Sequence, residues 1–209
     1  MFFTLSAKLR ISSDLGKKKD QFPDTAYSNQ MYSSRLSEYK STNNEYLCNM
    51  VFVLESIIAC VVFTLFVFLM SRDPVKTIFN YPPAIIERCK TLGLVDDTNR
   101  PGGPAFYAKK VTAMVLFGVL LGLLVRYVNG CETFWSGFLT AYALWCVVNW
   151  FDAFVLDCLW FCHDKHFVIP GTEDMVDAYH DYWFHIKGGL IGMLLALPAA
   201  LVAGVVVIL

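Results

Sequence analysis

With 56% hydrophobic and only 17% charged residues among 209, and a net charge of −1, this chain is too apolar for an ordinary soluble domain. Nothing in it points to nucleic acid: there is no basic excess and no glycine-rich phosphate loop after a strand. Seven cysteines, an odd number at scattered positions, do not form a disulfide framework and read as free thiols.

Residues 1–49 stand apart in composition. The stretch LGKKKDQFPDTAYSNQMYSSRLSEYKSTNNEYLCN is polar and lacks apolar periodicity, so it reads as a disordered tail. It has none of the regions of a signal peptide. A start of synthesis at Met50 is the other explanation, and it would remove the conflict between its basic residues and the orientation derived below.

Residues 50–209 read as a four-helix transmembrane domain. Four apolar blocks, 50–70, 111–128, 134–160 and 188–209, each approach the roughly 20 residues that a helix needs to cross the hydrocarbon layer. Helices are expected because lipid gives the backbone no hydrogen-bond partners. The fold class is therefore all-α: a polytopic membrane protein of about four transmembrane helices, with an interfacial amphipathic helix added.

Span one carries one charge, Glu55, and span two carries Arg126 near its end. An ion pair between them would lower the cost of each in lipid; snorkelling to the surface is the alternative. Loop 71–110 holds Arg72, Lys76, Arg88, Lys90, Arg100, Lys109 and Lys110, whereas the turn between spans two and three has no basic residue. The positive-inside rule places loops 71–110 and 162–187 in the cytoplasm of a multi-pass cell-membrane protein. Within the first loop, NYPPAIIERCKTLGL predicts a short interfacial helix entered through Pro82-Pro83, and NRPGGPAFY a turn-rich end.

Span three bears the intramembrane polar residues Asn149, Asp152 and Asp157. At 100° per residue, Asn149, Asp152, Trp160 and His163 share one face. An intramembrane carboxylate is a functional candidate, and a polar clasp to a neighbouring helix is its structural counterpart. Asp157 falls at the interface, where solvation accounts for it.

All four histidines follow within residues 163–185: His163, His166, His180 and His185. FVIPGTEDM reads as a turn and helix start, with Thr172 as N-cap and Glu173 and Asp174 in the first turn. The helix expected over 173–186 places Met175, Tyr179, Tyr182 and Ile186 on one side. Asp174, Asp177, Asp181 and His185 fall on the other. His163, His166, Asp177, Asp181 and His185 could together hold a divalent metal, with Cys158 and Cys162 as further donors. The spacing matches no standard signature, and a solvated acidic face explains the same pattern.

In span four, Gly188, Gly192, Ala196, Ala200 and Gly204 recur every fourth residue, and span two has Gly118 and Gly122. Such stripes let helix backbones approach closely. The partner is span two, a second copy of the chain, or another membrane protein; the bilayer is a partner in any case.

The motifs NYPP, NWFDAFVLD, WFCH, IPGTEDM and DYWFHIKG together resemble a group of small bacterial four-helix membrane proteins. The resemblance covers about residues 50–209. It implies four helices and a bacterial membrane, and carries over no catalytic role. Three functions are compatible with these features: a non-enzymatic accessory or transport-related subunit, a metal-dependent enzyme at the membrane interface, and a proton- or cation-responsive element using Asp152.

Overall fold

The structure, a computed structural model, describes residues 26–95 and 102–209, without the side chains of 26–29, 32 and 40–45. The described residues are mostly helical and contain no strand. The helices are α1 (Ala26–Met70), α2 (Pro83–Thr91), α3 (Pro104–Tyr127), α4 (Phe134–Phe151), α5 (Val176–Tyr179) and α6 (Tyr182–Ile208). A 3-10 segment covers Pro74–Asn80, and a π-helix, Asp152–Phe161, prolongs α4. Four segments are long and apolar enough to cross a membrane: Tyr46–Met70, Pro104–Tyr127, Phe134–Phe161 and Val176–Ile208.

The chain divides after Asn49 into two units. The first was expected to be disordered. From Ala26 onward it is instead helical, with the Ser34 and Ser37 hydroxyls donating back to Met31 O and Ser34 O. Residues 1–25 lie outside the described residues.

In the second unit, span four (α6) packs most closely on spans two (α3) and three (α4 with its π extension). Its small residues serve two faces. A Cβ on Gly118 would lie 2.7 Å from Ala199 O, and one on Gly122 would lie 3.0 Å from Ala203 Cα. Span two thus packs on the Ala199–Ala203 side. The Gly192–Ala196–Ala200–Gly204 stripe faces span three instead: Gly192 meets the Asn149 amide, and a Cβ on Gly204 would lie 2.8 Å from the Phe134 ring. Ala196 and Ala200 are buried, whereas a Cβ on Gly188 would meet nothing. The stripe is thus filled within the chain from Gly192 onward, and dispersion between closely approaching backbones holds the three helices together.

Local chemistry explains the turns. Gly130, at φ +68°, reverses the chain after span two, a conformation that costs glycine nothing. Thr133 and Ser136 then form a capping box that starts span three. On the opposite side, Pro83 opens α2 as the sequence predicts. Part of the turn expected at 99–107 lies outside the described residues; its end, Gly103 at φ +91°, leads into span two.

The two long loops fold onto each other. Ile78, Tyr81, Ile85 and Cys89 from the first loop pack with Phe161, Cys162, Phe167, Ile169 and Tyr179. Tyr81 Oη donates to Phe167 O (3.1 Å), and Arg88 pairs with Asp174 (2.7 Å). Thr172 is fully buried and does not cap a helix. Its hydroxyl hydrogen-bonds to Ile169 O and to the Tyr179 hydroxyl, each at 2.7 Å. The helix expected over 173–186 is correspondingly divided. α5 is one turn, the chain breaks at His180, and Asp181 caps span four by accepting from Phe184 N. Burial of the aromatic anchor Tyr179 decided the break, against the helical period of the segment.

Candidate functional site

The polar groups of the bundle surround a cavity of about 670 Å³ between spans one, two and three. Apolar side chains such as Phe63, Phe66, Phe117 and Leu121 make most of its wall. The exceptions are Glu55, Trp145, Asn149 and Asp152. The cavity exists because span one packs sparsely: spans two, three and four pack on one another much more extensively.

At one end, Glu55 does not pair with Arg126 as the sequence suggested. Glu55 Oε2 accepts from Asn129 Nδ2 at 2.7 Å, and Oε1 is buried without a partner. Arg126 instead donates to Val206 O and Val207 O, at 3.2 and 2.9 Å. Those are unsatisfied carbonyls at the C-terminal end of span four, where the helix dipole also favours a cation. In the wall between, the Trp145 indole N–H is buried and has no acceptor.

At the other end, Asn149 Nδ2 donates to Gly189 O at 2.9 Å, so the expected clasp is formed by Asn149. Asp152 has no hydrogen-bonded or ion-paired partner among the described residues; it lies within electrostatic reach of Asp157 and His185. The π-helix explains this grouping. With i→i+5 bonding, Asp152 and Asp157 are about one turn apart, which a 100° wheel misses. Asp157 is therefore more than a solvated interface residue: its Oδ2 lies 3.1 Å from His185 Nδ1. His185 is 4% exposed, and its Nε2 has no partner.

The expected metal ligands separate. His163 donates from Nδ1 to Leu159 O, and its Nε2 lies 3.3 Å from the Tyr182 hydroxyl. His166 Nε2 donates to Ser71 O, joining the two loops. Asp181 caps span four, Asp177 is exposed, and His185 belongs to Asp157. Burial, reinforced by Cys158, Asp157 and Asp181, pushes the Cys162 thiol up to about 12. Among the described residues, no three His, Cys, Asp or Glu side chains converge as metal ligands.

No protein-family model, no curated protein and no solved structure matches the chain. The site must be understood from its own chemistry. Sequence reasoning missed Trp145 as a polar participant, and nothing in the sequence marks one unsatisfied indole among five tryptophans.

Proposed function

We propose that the protein is a non-enzymatic, transport-related subunit of a bacterial cell membrane that holds a small hydrophobic molecule inside the bilayer. The cavity carries this reading. Its volume lies within the range of small-molecule pockets, and its wall combines a largely apolar surface with a few polar groups. The two loops, 71–110 and 162–187, face the cytoplasm in this arrangement. Lys110 over Phe106 and Lys187 over Trp183 supply cationic and aromatic anchors at their edges.

The test is equilibrium binding of triphenylphosphine oxide, a neutral apolar probe with one acceptor, to the full chain in lipid nanodiscs. Saturable binding at one site is expected, and Ala59→Phe with Ala113→Phe, which fill the wall, should abolish it. Binding unaffected by those substitutions would remove the cavity reading.

A second reading, the proton- or cation-responsive element, is favoured by one observation: Asp152 shares its end of the bundle with Asp157 and His185. The charged and titratable groups involved are Asp157 on the same segment, His185 from span four and Glu55 across the cavity from span one. Infrared spectroscopy of the carboxyl stretch should show a titrating band that disappears in Asp152→Asn; an unchanged spectrum would end this reading.

A further inference from the structure

We infer that the cavity takes a lipophilic cation, a molecule with an apolar body and one delocalised or amine-borne positive charge, and that Asp152 is the group that receives the charge. The inference rests on the cavity reading above and adds the chemical class of the occupant. Four observations lead to it.

Among the described residues, the ionisable side chains in the wall are Glu55 and Asp152, both carboxylates, and no Lys, Arg or His lines it. Any charge that the wall itself carries is therefore negative, and it would repel an anionic amphiphile in a medium that screens charge weakly. Neither carboxylate is ion-paired with a cation among the described residues. Asp152 has no hydrogen-bonded or ion-paired partner among the described residues, and Arg126, the cation the sequence offers as a partner for Glu55, is committed to Val206 O and Val207 O. Glu55 Oε1 is also buried without a donor. A bare metal ion does not fit, because it needs several converging ligands and no such group exists among the described residues. Aromatic rings complete the wall: Phe63, Phe66, Phe117 and Trp145, with Phe117 and Trp145 in edge contact at 5.3 Å. Aromatic faces attract cations that carry their charge on an apolar surface.

Asp157 cannot substitute for Asp152 here, because His185 Nδ1 already serves it. That division assigns the two carboxylates of the π-helix different tasks. Asp157 joins span three to span four, and Asp152 is left to the cavity.

The experiment compares tetraphenylphosphonium with neutral triphenylphosphine oxide on the full chain in nanodiscs of uncharged lipid. Wild type should bind both saturably. Asp152→Asn should weaken the cation at least tenfold, equivalent to about 1.4 kcal/mol. It should leave the neutral probe within twofold, which also shows that the variant is folded. Asp152→Glu should restore most of the cation affinity. Equal loss for both probes, or no loss for the cation, overturns the assignment of Asp152 while leaving the cavity intact. Neutral binding without any cation binding overturns the ligand class. Absence of saturable binding for either probe overturns the cavity reading itself, with lipid as the occupant.

Discussion

Two parts of the second unit use polarity in opposite ways. In the core of the cap made by the two long loops, the buried hydroxyls are answered: Thr172 by Ile169 and Tyr179, Tyr81 by Phe167, and the Tyr179 hydroxyl also accepts from the Ile169 N–H at 3.0 Å. In the cavity between spans one, two and three, Glu55 Oε1 and the Trp145 N–H have no partner, and Asp152 has none of its own. A buried polar group left without a hydrogen bond costs stability, so the cap reads as a region selected for folding. The cavity reads as one where some stability is given up for a ligand.

The largest effect that would break this comparison belongs to the cap. Thr172→Val keeps the shape of the side chain but leaves the Tyr179 hydroxyl without its acceptor and the Ile169 carbonyl with the Thr172 N–H alone. It should cost about 1–3 kcal/mol in reversible unfolding followed by near-ultraviolet circular dichroism in detergent micelles. Adding Tyr179→Phe should cost less than it does alone, because the two hydroxyls share one network. Full additivity would mean that the cap is not a connected unit.

In the cavity, the corresponding change should act differently. Trp145→Phe removes an N–H that has no acceptor, so unfolding stability should change by less than about 1 kcal/mol in either direction. Affinity for triphenylphosphine oxide, whose oxygen can accept from that N–H, should fall. A loss of stability as large as that of Thr172→Val would place Trp145 among the structural residues instead.

The smallest effect concerns the edge of the cap. The His166 N–H, and then the Trp160 indole N–H, hold the Asp164 carboxyl below its ordinary value. Because the folded state favours the carboxylate, this contribution is present above the unfolded value of about 4 and is lost as pH falls through the folded one. Stability measured between about pH 5 and pH 2 should decline slightly more steeply in wild type than in Asp164→Asn. Equal slopes would show that the two donors do not favour the ionised form.

Some of this was legible residue by residue. Apolar blocks predict the four spans, and their bounds differ from the observed ones mainly where polar residues enter a helix: Pro104–Lys110 in span two and Tyr182–Lys187 in span four. Pro82-Pro83 predicts α2, and the polar character of Asn149 and Asp152 in span three predicts that they face protein. The acidic face of 174–185 did not survive, because Asp174 was drawn to Arg88 and Asp181 to a helix start. The Glu55–Arg126 pair failed for a similar reason. Each side chain found a closer partner that only the packed bundle provides.

The sequence by itself determined the solvent this protein folds in, the number of its spans and the small residues that let span four lie against its neighbours. Those properties depend on composition and on spacing along one helix, and lipid enforces both through the cost of an unsatisfied backbone. Tertiary structure alone decided which polar groups meet. The contacts that distinguish the cap from the cavity join residues far apart in the chain, Tyr81 with Phe167 and Arg88 with Asp174, or depend on the i→i+5 register that turns Asp157 toward His185. No helical period of a single segment encodes them, because each is the outcome of competition among partners brought together by packing.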